Sequence, residues 1–451
     1  MKDLSVGKEH RVILTFAIPM LLGNVFQQLY NVVDSMVVGK FLGKEALGAV
    51  GASFPILFVM ISLIIGIAMG TTIIISQYFG AKDMNNVRRA IDTMFLVLGI
   101  ASVVVTIIGI TFSEEIFRLI KLPEEILPQA KIYFNIYMGG AIMMFGFNGT
   151  NAILRGLGDS KTPLVFMIIS SLINIGLDLL FVVVFGWGIE GVAIATIIAQ
   201  GGAFISGMIY LNKYHSFINI NFLKLTFDKF IFKKSLYIGL PTGLQQMFVA
   251  LGMAALFRIV NDYGTDVIAA YSVAGRIDSF ALLPAMNFSA ALSTFVGQNL
   301  GANKPERVRK GLISTLLMSS VISVVITMIA VIFGETLMAW FTEDANVIAI
   351  GHQYLIIVSS FYLIFTSMFI VSAVFRGAGD TIVPMFITLL ALWVIRIPVS
   401  WFLSQSMGEI GIWWGVPIAW TFGLSLSIAY YFTGRWKRKV IVKHKPENGT
   451  K

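Results

Sequence analysis

The chain alternates between long apolar runs and short polar segments. One of these runs, Leu312–Gly334, contains no charged residue and is far too long for a β-strand. A run of about 18 or more apolar residues is long enough to cross a bilayer core of about 30 Å as a helix. The pattern therefore predicts an all-α integral membrane protein with twelve transmembrane helices, at roughly 12–38, 46–78, 90–112, 130–153, 163–185, 190–211, 234–260, 267–297, 311–334, 347–374, 384–405 and 411–433.

Composition agrees with a polytopic membrane protein. Of the 451 residues, 57% are hydrophobic and only 13% are charged, and the mean hydropathy is +0.83. Charged residues make up about 25% of an ordinary soluble domain. Cysteine is absent, which excludes disulfides and thiolate metal sites. The four histidines are scattered, so we expect no metal centre and no cofactor. The polar N-terminus does not have the pattern of a cleavable signal peptide.

The net charge of +9 follows the membrane topology. Of the lysines and arginines, 25 lie in one set of alternate loops and the two termini, and 5 lie in the opposite set. Basic residues are retained on the cytoplasmic side of a membrane. We therefore expect a multi-pass protein of the cell (inner or plasma) membrane with both termini in the cytoplasm. The placement of the charge argues against a nucleic-acid partner.

The two halves of the chain are similar at a nearly constant offset. The clearest pairs, 221 residues apart, are LRGLGDSKTP (154–163) with FRGAGDTIVP (375–384), and QYFGAK (77–82) with QNLGAN (298–303). Because each unit contains six helices, both halves enter the membrane from the same side and the repeat is parallel. We predict an N-terminal lobe over 1–222 and a C-terminal lobe over 223–451, the latter with the basic cytoplasmic tail.

Small residues in these segments predict local structure. In the R-G-x-G-D turns, glycine permits a positive φ, proline suits the first turn of the next helix, and the basic residue is expected to anchor the turn at the lipid surface. Two further pairs with small-xxx-small spacing, Gly66 with Gly70 and Gly239 with Gly243, favour close helix packing.

The apolar stretch Pro19–Gly43 carries a single acid, Asp34. A carboxylate in hydrocarbon costs roughly 2.5–3.5 kcal/mol or more, so it persists where it faces protein, water or a cation. We interpret Asp34 as a coupling group for a transported cation. The alternative is a carboxylate at the membrane surface, where its cost is small.

The sequence resembles the multidrug and toxic compound extrusion (MATE) family over about Pro19–Gly434. The resemblance rests on two six-helix halves, an acid in the first helix, Q-x-x-G-A after the second and eighth helices, and R-G-x-G-D with proline after the fourth and tenth. It implies two lobes that enclose a central cavity and rock to alternate access. It also implies cation-coupled export of amphiphilic, usually cationic, compounds.

The resemblance also suggests where the coupling cation binds. One branch of the family uses acids in the seventh and tenth helices, which contain no Asp or Glu here. Another uses the N-terminal lobe, and this chain is similar to it at four positions. The implied cation or proton site consists of Asp34, Asn174, Asp178 and Thr196.

Helix geometry is consistent with that site. At 1.5 Å per residue, Asp178 lies about 22 Å from the cytoplasmic end of its helix, Asp34 about 33 Å along the first helix and Thr196 about 9 Å from the outer end of the sixth. All three therefore reach the outer half of one lobe. Asn174 and Asp178 are four residues apart and share a helix face. Their oxygens suit a proton or a sodium ion, or they form an interhelical hydrogen-bond pair without a transport role.

The acids are not repeated in the second half. The positions 221 residues after Asp34 and Asp178 are alanine and valine, and Arg258 and Arg396 lie one turn away from them. This suggests an acidic first lobe facing a basic second lobe across the cavity. The alternative is that the arginines snorkel or pair locally, for example Arg258 with Asp262. Arg276 and Asp278 are two residues apart, do not face each other, and are further candidates to line the cavity.

We interpret the chain as a secondary active exporter, not an enzyme, that acts as a monomer on small amphiphilic molecules. A lipid-linked oligosaccharide or lipid flippase of the same superfamily is the alternative: three intramembrane arginines favour it, whereas twelve helices and Asp34 do not. An intramembrane enzyme needs a catalytic pair at depth, and no histidine lies clearly in the middle of a span.

Overall fold

The computed structural model describes residues 2–215, 218, 220–222 and 224–442, and every regular element within these ranges is helical. Three π-helical segments (Val38–Leu42, Leu179–Val184 and Leu390–Arg396) and two short 3-10 helices (Asn261–Tyr263 and Arg435–Lys439) interrupt or follow the α-helices. The α-helices are α1 (Glu9–Val37), α2 (Gly43–Gly80), α3 (Met84–Thr111), α4 (Ser113–Leu119), α5 (Leu127–Gly139), α6 (Ala141–Gly156), α7 (Lys161–Asp178), α8 (Ile189–Tyr214), α9 (Lys229–Val260), α10 (Thr265–Ala281), α11 (Leu283–Gly301), α12 (Pro305–Ile332), α13 (Gly334–Ala339), α14 (Ala345–Ser359), α15 (Tyr362–Ala378), α16 (Ile382–Leu389), α17 (Ile397–Met407) and α18 (Glu409–Thr433).

These helices form twelve membrane spans, as predicted. The first and second spans, α1 and α2, are joined through a π-helical turn into one helical run, Glu9–Gly80. Three of the predicted single helices are interrupted: α5 and α6 make the fourth span, α10 and α11 the eighth, and α14 and α15 the tenth. The two halves of the tenth span are bent by 46°.

The internal repeat is visible in the backbone. The short helices α4 and α13 begin at residues 113 and 334, which are 221 positions apart. Backbone conformations with positive φ recur at the same offset, at Gly43 and Gly264, Lys82 and Asn303, and Gly158 and Gly379. The second glycine of each R-G-x-G-D turn thus has the conformation that the sequence predicts.

Contacts divide the chain into two units. The first comprises Met1–Lys2 and Leu22–Gly243, and the second Asp3–Leu21 and Leu244–Lys451. The divisions therefore fall inside α1 and α9, each a few residues after an internal proline. The lobes 1–222 and 223–451 remain a prediction; Leu223 and the tail after Val442 lie outside the described residues.

The first unit contains the predicted close approach of two glycine-bearing helices. A Cβ added to Gly66 on α2 would lie 2.4 Å from the carbonyl oxygen of Gly239 on α9. A Cβ added to Gly70 would lie 2.6 Å from the carbonyl oxygen of Ser235. These contacts are backbone to backbone, so only glycine permits the observed separation.

The prediction that the basic residue of the R-G-x-G-D turn reaches the lipid surface is wrong for the second repeat. Arg376 is 7% exposed and its Nη2 donates to Ser289 Oγ at 2.6 Å. The acid of the motif is also buried: Asp380 accepts from Tyr430 Oη at 2.5 Å. The motif turns its charged side chains inward because buried hydroxyl and carbonyl groups are available there.

The N-terminal peptide is held against the second unit by the Q-x-x-G-A loop. Leu4 is buried, its backbone N–H donates to Gln298 Oε1 at 2.8 Å, and its carbonyl accepts from Asn299 Nδ2 at 3.3 Å. Arg307 forms a half-buried ion pair with Glu9 at 3.1 Å. These contacts fix the start of α1.

Candidate functional site

Asp34 lies in the last turn of α1, immediately before the π-helical segment Val38–Leu42. Its side chain is 9% exposed, and Oδ1 is buried without a hydrogen-bond partner among the described residues. π-helical segments inside α-helices frequently accompany functional sites. The structure therefore places Asp34 inside the protein and not at the surface.

Asn174, Asp178 and Thr196 are brought together by α7 and α8. They are 2%, 0% and 4% exposed. The hydrogen bonds of the Asn174 amide are satisfied when Nδ2 donates to Asp178 Oδ2 at 3.2 Å and Oδ1 accepts from the backbone N–H of Thr196 at 3.1 Å. Asp178 ends α7 and is followed by the π-helical segment Leu179–Val184, as Asp34 is followed by its own.

The two carboxyl groups meet. Asp34 and Asp178 lie within hydrogen-bonding reach of each other, and Asp178 Oδ1, like Asp34 Oδ1, has no donor in the described part of the chain. Neither carboxyl group has a basic partner among the described residues, so their charged forms repel each other and a proton or a cation between them would be stabilising. All four residues implied by the resemblance thus surround one point in the first unit.

Three tyrosines complete the site, and the sequence analysis missed them. Tyr30 lies close to Thr196 and to Asp34. Tyr133 and Tyr137 on α5 have ring centroids 5.9 Å apart, and both interact electrostatically with Asp34. Spacing could have suggested Tyr30, which lies four residues before Asp34 on the same helix face.

A polar cavity adjoins the carboxyl pair. Asn174 and Thr196 line it together with Gln27, Ser170, Ser171 and Gln200. Its volume is about 30 Å³, which is enough to hold one or two water molecules. On α7 the cavity extends from Asn174 toward Ser170, in the direction of the N-terminal end of that helix. The cavity thus leaves room for water beside the carboxyl pair inside the first unit.

The second unit contains a separate polar cluster around Asp278. Tyr354 Oη donates to Asp278 Oδ2 at 2.5 Å, and Tyr362 donates to Oδ1. Arg396 lies near both Asp278 and Tyr271. This carboxylate has two phenol donors and a cation nearby, which makes its surroundings the opposite of those of Asp34.

The two remaining candidate arginines are exposed. Arg258 Nη1 lies 3.0 Å from Asp262 Oδ1, and these side chains are 76% and 64% exposed. This is the local pairing that the sequence left open as an alternative. Arg276 is exposed and Asp278 is buried, so the two point in different directions, as expected from their spacing.

Comparison with known proteins agrees with the repeat. The MatE family model matches the chain twice, over residues 19–180 and again over 241–402. The chain belongs to the MATE family. Both matches begin at a proline, Pro19 or Pro241, and together they cover most of both halves.

Relatives extend over nearly the whole chain. The chain is 33% identical to "Probable multidrug resistance protein YpnP" of Bacillus subtilis over 96% of this chain and 97% of the relative. It is 24% identical to "FAD transporter" of Shewanella oneidensis over 94% of this chain and 93% of that one. One similar solved structure is described as the outward-facing conformation of a multidrug resistance MATE family transporter. It is 24% identical to this chain, and the alignment covers 97% of this chain and 99% of that one. The TM-score of 0.91 shows that the two share a fold.

Membership of the MATE family agrees with the all-helical membrane fold and with the two six-helix lobes. It supports a transporter and not an enzyme. Among the described residues, no group of three or more His, Asp or Glu side chains is arranged to hold a metal ion.

Proposed function

We propose that the protein is a cation-coupled antiporter that exports amphiphilic compounds. The observation that carries the proposal is the contact between two buried carboxyl groups, Asp34 and Asp178, within a ring of Asn174, Thr196 and Tyr30. Two relatives of MATE type are named multidrug resistance proteins, one from Bacillus subtilis and one from Proteus mirabilis, which supports multidrug efflux as the physiological class of reaction.

Binding of one cation can change the electrostatic repulsion within the carboxyl pair. Two like unit charges about 4 Å apart repel by about 4 kcal/mol at an effective dielectric constant of about 20. A proton or a sodium ion between Asp34 and Asp178 removes this repulsion, so the occupied and empty sites favour different packing of α1 against α7. Rocking between the two arrangements would couple cation entry to substrate exit.

Exchange of the cation needs a hydrated route. The cavity beside Asn174 and Thr196 is lined by Gln27, Ser170 and Gln200, which can hydrogen-bond to water. We infer that the cation leaves the carboxyl pair through this cavity toward the cytoplasm. Tyr137 lies next to Gln200 and so would support one wall of the route.

The flippase alternative loses part of its support. It relied on three intramembrane arginines, but Arg258 pairs with Asp262 at an exposed position and Arg396 lies beside Asp278. One of the three charges is therefore paired with a carboxylate, and a second has a buried carboxylate as a neighbour. A cationic cavity built for a lipid diphosphate needs uncompensated charges.

The test uses purified protein in proteoliposomes. Uptake of a fluorescent cationic dye is followed under an imposed pH gradient and, separately, under a sodium gradient. We expect one gradient to drive dye movement in the wild type, and that gradient identifies the coupling cation. Asp34→Asn and Asp178→Asn should each abolish the driven movement, because a single carboxyl group no longer makes a cation-dependent pair.

A matched control is Asp262→Asn, which removes an exposed carboxylate of the same type. It should transport like the wild type. If Asp34→Asn and Asp178→Asn both keep gradient-driven transport, the carboxyl pair is structural and the proposal is wrong. If neither gradient moves dye in the wild type, lipid-linked substrates become the next to examine.

A further inference from the structure

Arg376 is a buried cation near the end of α15. Its side chain is 7% exposed. Nη2 donates to Ser289 Oγ at 2.6 Å and to the carbonyl oxygen of Phe369 at 3.3 Å, and the guanidinium lies 6.0 Å from the centroid of the Phe369 ring. Nε is buried and has no hydrogen-bond partner among the described residues. Part of the guanidinium is thus fixed and part is left to bind something else.

No carboxylate balances this charge within the described ranges. Arg376 takes part in none of the ion pairs found there. The nearest acid in sequence, Asp380, accepts a hydrogen bond from Tyr430 Oη instead. A guanidinium retains its charge in a protein interior, and a buried charge without a counter-charge is unfavourable. A ligand that brings one negative charge would compensate it.

The guanidinium borders a small polar pocket in the second unit. Gln245, Ser372 and Thr388 contribute its polar atoms, and Gln245 Nε2 donates to Thr388 Oγ1 at 2.6 Å. The cavity volume is about 10 Å³, which is the size required by a single water molecule or a small ion. The pocket is too small in this conformation for a drug-sized molecule.

We propose that this pocket, between Arg376, Ser372 and Thr388, binds one small monovalent anion, which in the cell would be chloride. The guanidinium supplies the charge and the buried Nε–H, and the neighbouring hydroxyls and amide supply further donors. The carboxylate end of a substrate has the same chemistry, but the pocket volume favours a halide. The site lies apart from the carboxyl pair of the first unit and does not depend on cation coupling there.

The repeat provides a matched control. Arg155 occupies the position of Arg376 in the first half, and its Nε is likewise buried without a partner. The residue 221 positions before Ser289 is Ala68, so the hydroxyl that fixes Arg376 is missing there. Arg155 does not line the cavity beside Asn174. Loss of Arg155 therefore removes the same kind of buried cation without touching the proposed anion pocket.

The test measures the melting temperature of the purified protein in sodium gluconate, to which sodium chloride, bromide or formate is added at constant ionic strength. At an anion concentration about 100 times Kd, we expect a rise of about 2–3 °C in the wild type for a chain of this length. Chloride and bromide should produce it and gluconate should not. Formate reports whether a carboxylate can replace the halide.

Arg376→Gln and Ser372→Leu should each abolish the halide-dependent rise, the first by removing the charge and the second by filling the pocket. Arg155→Gln should keep it. The second pocket variant retains Arg376 and so remains informative if Arg376→Gln fails to fold. Crystals soaked in bromide should show an anomalous peak beside Arg376. A rise that survives in Ser372→Leu, or is lost equally in Arg155→Gln, or bromide peaks only elsewhere, would overturn the proposal.

Discussion

The contact between α2 and α9 can be tested by adding single carbon atoms. In Gly66→Ala the new Cβ would lie 2.4 Å from Gly239 O, whereas ordinary contacts of a Cβ begin near 3.4 Å. The obstructing atom belongs to the backbone and cannot rotate away, so the helices must separate locally by about 1 Å. Overpacking of this kind costs about 1–3 kcal/mol. Gly66→Val should cost more, because the additional methyl groups point into the same contact.

Disulfide formation provides a direct assay of this separation. Thr71 Oγ1 lies 3.4 Å from Ser235 Oγ, one turn from the glycine contact. Because the chain has no cysteine, the double variant Thr71→Cys/Ser235→Cys contains the only two thiols. Their Cβ atoms must approach to about 3.5–4.5 Å to form a disulfide. With a protease site inserted in the loop before α9, the bond is detected as two fragments that stay joined on a non-reducing gel.

We expect rapid cross-linking in the parent and slower cross-linking, by tenfold or more if the cost exceeds about 1.4 kcal/mol, when Gly66→Val is added. Gly99→Val on α3 is the control, since a Cβ at Gly99 meets no atom within 4 Å. Gly99→Val should cross-link like the parent. Equal rates and equal melting temperatures for the two valine variants would refute the claim that backbone contact requires glycine at this position.

Two further predictions concern the loops. Gln298→Leu should release the N-terminal peptide, because it removes the acceptor of the Leu4 N–H and leaves that buried donor unsatisfied at a cost of about 1–3 kcal/mol; limited proteolysis should then cleave near Leu4 sooner than in the wild type. Hydrogen bonds from Lys131 and Arg118 hold the pKa of Glu114 below its usual 4.5. These hydrogen bonds add a small amount to the free energy of unfolding. This stabilisation is complete above pH 4.5 and is lost as the pH falls through the lowered pKa of Glu114. The stability difference between wild type and Lys131→Gln should therefore vanish in acid.

The sequence predicted the spans and the repeat because both depend on patterns longer than any single contact. Apolar runs and alternating basic loops locate twelve helices, and a constant offset of 221 residues locates the repeat. Hydropathy does not report backbone hydrogen bonds, so the interruptions after Gly139 in the fourth span and after Ser359 in the tenth were missed. The two interruptions correspond in the repeat, which identifies them as features of the fold and not accidents of one helix.

The site was predicted in part, for a related reason. Asp34 stands out because charged groups are rare in membrane helices, whereas Asn174, Asp178 and Thr196 were implied by the family resemblance. Tyrosine is common near membrane interfaces, so Tyr133 carries no comparable signal. Arg376 was misplaced because a basic residue at a cytoplasmic turn normally faces lipid headgroups, and only the position of Ser289 on another helix reveals that it points inward.

The two halves share backbone conformations but differ in their buried polar side chains, and this difference argues for different roles of the two halves. Positions with positive φ are retained across the repeat, whereas the counterparts of Asp34 and Asp178 are Ala255 and Val399. In the second unit the buried carboxylate Asp278 already has two tyrosine donors, and the buried Asp380 accepts from Tyr430. A carboxylate that already accepts hydrogen bonds from fixed donors is stabilised little by binding a cation. A pair of carboxylates without donors is stabilised much more. The proposed cation site therefore belongs to the first unit alone, and the corresponding positions of the second unit carry different polar chemistry.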